Sequence, residues 1–211
     1  MKKFLKKWYN NLKKNLKNIL IVLPLIPLAL ITKKIFAGYA DKVASNSVTD
    51  LLHENIPLLD LSFLYVYAWL IIISVLFLYP LIFDLINLHK VLFHVSFLLI
   101  IRSFFLVLTH LKAPVEAIAI TYPSIINTFS FKNDLFFSGH TAVPLMGFFV
   151  FKNKILKLFF LISSIVMGFT VIIMREHYSI DVFAAFFIAY GSYNLGEIIL
   201  KKITATKKKE E

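Results

Sequence analysis

The residues able to do chemistry fall in three short stretches of this 211-residue chain. Phe136-Phe137-Ser138-Gly139-His140-Thr141 carries one histidine, and Arg175-Glu176-His177-Tyr178-Ser179-Ile180-Asp181 carries another, with an aspartate four residues on. Arg102 lies well upstream of both. Residues i and i+4 share a helix face, so Asp181 can hold one ring nitrogen of His177 and fix its tautomer. The other nitrogen is then a nucleophile toward phosphorus. His140 suits the acid/base part, protonating a leaving alcohol and taking a proton from an incoming one. Arg102, supported by Arg175, offers a planar fork to a phosphate, and Ser138 and Gly139 open a helix whose free amides attract an anion. The predicted chemistry is phosphoryl transfer that requires no metal and no cofactor.

Each residue also has a plain structural reading. Ser138 suits a helix N-cap, Gly139 a close helix contact, and His177 with Asp181 a local hydrogen bond. Arg102 can snorkel toward head groups. His140, His177 and Asp181 could bind zinc instead, but an arginine beside them favours an anion over a cation. What lifts the set above these separate readings is depth. Placed together at one level of a membrane, unpaired polar groups cost several kcal/mol.

That placement comes from the elements around them. The chain is 59% hydrophobic and 17% charged, whereas a soluble domain carries about 25% charged and about 45–50% apolar residues. A soluble chain of this composition would expose large apolar patches, so a soluble enzyme is excluded. With no cysteine, disulfide scaffolds, thiolate metal sites and cysteine catalysis are excluded too. Apolar stretches near the ~20 residues that cross a bilayer fall at 19–31, 61–83, 91–111, 136–151, 155–174 and 178–200. The sequence therefore predicts an all-α polytopic membrane protein with six transmembrane helices. Residues 1–18 form a basic amphipathic interfacial helix, with Phe4, Leu5, Trp8, Leu12 and Leu16 on one arc and the lysines on the other. Residues 19–200 form the catalytic domain, and 201–211 a basic tail.

A net charge of +11 first suggests nucleic acid, but the lysines sort by side. With an even number of spans both termini share one face. That face collects the lysines of 2–17, Lys90, Lys152, Lys154, Lys157 and those of the tail, a bias that marks it as cytoplasmic. Lys33, Lys34, Lys42, Arg102, Lys112, Lys132 and Arg175 fall at or near the other face. Nucleic acid is thus excluded as a partner, and the chemistry is expected on the exoplasmic side. Few polar groups lie mid-span and no internal repeat occurs, which argues against transport.

Phe137–Thr141 (Phe-Ser-Gly-His-Thr) and His177–Val182 (His-Tyr-Ser-Ile-Asp-Val) resemble the last two motifs of the type 2 phosphatidic acid phosphatase (PAP2) superfamily. They are most similar to its sphingomyelin synthase-like branch, whose last motif reads His-Tyr-Thr-x-Asp-Val. Arg102, Thr109, Leu111 and Pro114 resemble that branch's Arg-x6-Thr-x-Leu-x2-Pro segment, and the similarity runs over 102–186. It implies a PAP2-like bundle in which His177 forms a phosphohistidine-type intermediate, Asp181 supports it and His140 is the acid/base. It also implies transfer of a phospho-head group from a phospholipid donor to a lipid alcohol such as ceramide or diacylglycerol. The lipid-phosphatase branch expects Lys, Pro and Arg where this chain has Val95, Ser103 and Val171. These departures favour transfer over plain phosphatase chemistry, which stays the alternative because water can replace the alcohol. A catalytically silent lipid-binding protein is a third reading, opposed by the intact triad. For the head group, Asp134, Glu176 and Glu116 are candidate carboxylates for an ethanolamine, and Tyr178, Tyr122 and Phe136 are candidate aromatics for a choline.

Overall fold

The computed structural model describes residues 2–118, 120 and 131–206, and these fold into eight helices without a β-sheet. They are α1 (Lys2–Val22), α2 (Leu25–Val43), α3 (Leu51–Asn55), α4 (Ser62–Phe83), α5 (Leu85–Leu106), α6 (Gly139–Val150), α7 (Lys154–Ile173) and α8 (Ser179–Thr206). Five helical stretches are long and apolar enough to cross a bilayer: α4, α5, α7, α8, and α1 with α2 taken as one run from Lys2 to Val43. Several such helices in one chain suggest a multi-pass membrane protein.

The sixth expected span differs from expectation. Residues 136–138 are non-helical, with a bend at Phe136–Phe137, and α6 holds only 12 residues, about 18 Å at ~1.5 Å per residue, against a hydrocarbon core of about 30 Å. Its residues from Thr141 to Gly147 are buried among α5, α7 and α8. Protein rather than lipid covers its backbone ends, so the length rule that governs a lipid-facing helix does not bind it. Gly147 allows the closest approach: a Cβ there would sit 2.7 Å from the ring of Phe160 on α7.

Other boundaries move as well. The chain is helical from Lys2, turns at Leu23–Pro24, and stays helical to Val43, well past the end of the expected span at residue 31. Helix α5 begins at Leu85 and ends at Leu106 rather than spanning 91–111. Arg102 is therefore about one turn from the helix end, not two. Helix α1 is fixed to the α4–α5 corner. Trp8 Nε1–H donates to the Leu81 carbonyl at 2.9 Å and Asn15 Nδ2–H to the Leu85 carbonyl at 2.7 Å. The break at Asp84 leaves the Leu81 carbonyl without its helical partner, and Trp8 supplies one.

The segments 44–61, 107–118, 131–138 and 174–178 gather at one end of the bundle. Ser45 N–H donates to the His110 carbonyl (2.9 Å) and Lys112 N–H to that of Asn46 (3.0 Å). Asn133 N–H donates to Asp41 Oδ1 (2.7 Å), and Ile118 N–H to the Met174 carbonyl (3.2 Å). The site lies at this end.

Candidate active site

Two helix N-termini meet here. Ser138, just before α6, donates its N–H to the carbonyl of Asp181 in the first turn of α8, at 3.0 Å. The two short motifs are thereby joined main chain to main chain. His177 and Asp181 are both buried, with Nδ1 3.3 Å from Oδ2, and the same oxygen accepts the Tyr178 N–H at 3.1 Å. His140 opens α6, its ring centroid 6.5 Å from that of His177. Helix α6 directs its first amides toward this space, and the Gly139 and His140 N–H groups donate to no acceptor among the described residues. Ser138 occupies the N-cap position, but its side chain makes no cap bond; its Oγ accepts from Thr141 Oγ1 at 3.2 Å.

Arg102 reaches the site from α5, only 5% exposed. Its Nε–H donates to the Phe137 carbonyl (2.6 Å), one Nη to the Asp134 carbonyl (2.8 Å), and the other Nη pairs with the Asp134 carboxylate. Lys33 of α2 lies 3.5 Å from the second carboxylate oxygen. Burial alone would push the Asp134 carboxyl up, but Arg102 and Lys33 outweigh it and hold it at about 2. Gly139 leaves room for this arrangement, since a Cβ there would come within 3.4 Å of Arg102 Nε.

A cavity of about 410 Å³ opens between these groups. Arg102, Asp134, Gly139, His140, Glu176 and His177 line it, with Lys33 and Lys132. Val66, Leu70, Leu99 and Val143 form its apolar side. Burial raises the Glu176 carboxyl above its ordinary value.

Arg175 is not among the cavity-lining residues. Its guanidinium pairs with Glu116 and donates to the His53 carbonyl at 2.9 Å. Its backbone is in the left-handed region, φ 57°. Tyr178 is buried behind the site. Its hydroxyl donates to the Lys112 carbonyl (2.8 Å) and accepts the Val48 N–H (3.2 Å). Phe136 packs on Phe105, outside the cavity lining, and Tyr122 lies outside the described residues.

Five further residues have roles that the sequence did not assign. Lys33 joins the site because α2 continues through it. Tyr65 and Trp69 of α4 flank His140, each with its ring 4.4 Å from the imidazole. His53, buried in α3, donates through Nε2 to the His177 carbonyl at 3.1 Å, and burial lowers its imidazole from the ordinary value. Asp50 accepts both the N–H and the hydroxyl of Ser179 at 2.8 Å, capping α8 from another segment. Burial would raise the Asp50 carboxyl, but these donors hold it below its usual value. The segment carrying Asp50 and His53 is thus a brace behind His177.

Residues 133–197 match the family model described as PAP2 superfamily C-terminal. The matched stretch contains Asp134, Ser138, Gly139, His140, His177 and Asp181, while Lys33, Tyr65 and Arg102 lie before it. The match supports the PAP2 superfamily and suggests a phosphatase- or phosphotransferase-type lipid enzyme. No curated protein and no solved structure matches the chain.

Proposed function

We propose that this chain is a membrane lipid phosphotransferase of the sphingomyelin synthase-like kind, moving a phospho-head group from a phospholipid to a lipid hydroxyl. The supporting observation is the pair of histidines 6.5 Å apart, centroid to centroid, at a cavity that also holds a buried guanidinium and an apolar wall. In this reading Asp181 occupies Nδ1 of His177, and Nε2 attacks phosphorus. A P–N bond forms, the bond from phosphorus to the diacylglycerol oxygen breaks, and His140 protonates that oxygen as it leaves. The acceptor hydroxyl then gives its proton to His140 and attacks phosphorus, breaking the P–N bond. Charge on the transferring phosphoryl group is met by the Gly139 and His140 amides and by Arg102. Glu176 and Asp134 are the carboxylates on the cavity wall that face the head group. Ser138 holds the α6 entry, and Arg175 and Tyr178 hold the surrounding loops.

In the membrane arrangement of this reading, α6 counts as the sixth, protein-enclosed span and both termini are cytoplasmic. Helix α1 lies on the inner surface, where its exposed lysines meet anionic lipid at ~1 kcal/mol each, and the cavity opens to the exoplasmic side. The test is incubation of the purified protein with phosphatidylcholine or phosphatidylethanolamine plus ceramide or diacylglycerol, followed by lipid mass spectrometry and a free-phosphate assay. A head-group-exchanged lipid is expected, and His177→Ala abolishes it. Free phosphate released in a parallel incubation with phosphatidic acid, with no exchanged lipid in the first, establishes the phosphatase alternative. Exchange that survives in His177→Ala refutes the mechanism.

A further inference from the structure

His140 is held from behind by one face of α4. Tyr65 and Trp69, one helical turn apart, both pack on its imidazole, and the Tyr65 hydroxyl lies 3.3 Å from Nδ1. Tyr65 is only 3% exposed, and a hydroxyl buried that deeply in an apolar helix needs a partner. With Nδ1 engaged, Nε2 is the nitrogen left for a ligand in the cavity. When the ring is protonated both nitrogens carry hydrogen, so toward imidazolium the Tyr65 oxygen can only accept. Deprotonation at Nε2 then leaves the Nδ1–H to tyrosine bond undisturbed.

Building on the acid/base reading of His140, we propose that Tyr65 is its positioning residue: the tyrosine oxygen accepts Nδ1–H, so that Nε2 alone exchanges the proton with the lipid oxygens. Trp69 completes the cradle, its ring tilted at 57° to the imidazole with the centroids 4.4 Å apart, within the range at which an aromatic ring attracts a cation. That support matters in this surrounding. The charged and titratable groups facing His140 are His177 ahead of α8, Lys33 of α2, Arg102 of α5 and Asp134 before α6. All but one are cationic or become so, and the aromatic pair offsets them on the α4 side. Tyr65 does for His140 what Asp181 does for His177, with a neutral acceptor in place of a charged one. A neutral acceptor leaves the imidazolium more acidic than a carboxylate would, which suits a group that must release its proton in every cycle.

Two measurements test this. In protein labelled with ¹⁵N-histidine and assigned by His140→Asn, the neutral His140 ring is expected to carry its proton on Nδ1, and Tyr65→Phe is expected to lose that preference. A wild-type ring protonated on Nε2, or a tautomer unchanged in Tyr65→Phe, overturns the proposal without any need for substrate. In the exchange assay described above, Tyr65→Phe is expected to lower kcat roughly 10-fold or more and to shift one limb of the pH–kcat profile. KM for the donor lipid should stay within about twofold. A loss of kcat with both limbs in place would mark a merely structural role and overturns it too. The outcomes also separate from failure of the function itself. If His140→Asn and His177→Ala retain exchange, the catalytic reading falls. If those variants are dead and Tyr65→Phe equals wild type, only the role of Tyr65 falls.

Discussion

Asp134→Asn removes one negative charge from between two cations while keeping the shape of the side chain. An acid held at about 2 instead of 3.8 contributes roughly 2 kcal/mol to folding, since each tenfold change in acidity corresponds to ~1.4 kcal/mol. The side chain is 14% exposed, so solvent screening takes little from this figure. For a chain of this length the loss should lower Tm by roughly 4–8 °C. Its pH dependence has a definite sign. The folded carboxyl is the stronger acid, so its contribution is complete above 3.8 and disappears as pH falls through about 2. Melts of wild type and Asp134→Asn in detergent micelles, followed by Trp fluorescence, should therefore run apart by a constant gap from neutral pH to about 5. The gap should close only below about pH 4. Equal melts at neutral pH, or a gap that closes between neutral pH and 5, would refute the ion-pair argument.

Two further outcomes follow from the same geometry. Arg102→Lys replaces a fork that bonds Phe137 and Asp134 at once by a point charge, and should cost roughly 10²-fold in kcat/KM. Arg175→Ala, which empties no cavity position, should cost far less and show instead as faster proteolysis near Glu116; equal losses in the two variants would contradict the assignment. Burial keeps His53 neutral, so its contribution to stability is complete above about 6.5 and is lost as pH falls below that. His53→Gln keeps a donor for the His177 carbonyl and should flatten the fall of Tm between about pH 7 and 5, whereas an unchanged slope would mean that His53 does not titrate there.

What the residues alone made legible was the all-helical, apolar class of fold and the set of ionisable side chains that meet at one cavity. Ionisable groups in an apolar chain stand out because each needs a reason to be there. His140, His177 and Arg102 indeed line one cavity, backed by Asp181. The missing parts follow from what an apolar run conceals. Tyr65 and Trp69 sit in a helix that is apolar on every side, so no periodicity distinguishes the face that meets His140 from the face that meets lipid. Lys33 reads as the end of a span, yet its α2 helix continues ten residues further to Val43. Phe136 and Phe137 read as the start of a helix because apolar residues in a bend and in a helix look alike. The pairing of Arg175 with Glu116 and the His53 carbonyl depends on segments far away in sequence, which its position beside His177 does not announce.

The hydrogen bond from the Ser138 amide to the Asp181 carbonyl acts as a caliper. It fixes the gap between the two histidines using main-chain atoms that every amino acid except proline supplies, so no other replacement at Ser138 removes the donor. Residues around the cavity are consequently free to change without disturbing the spacing of the two motifs. Selectivity and registration are borne by different parts of the chain. In the proposed reaction, the lipid admitted can change while the two short motifs remain locked at one separation.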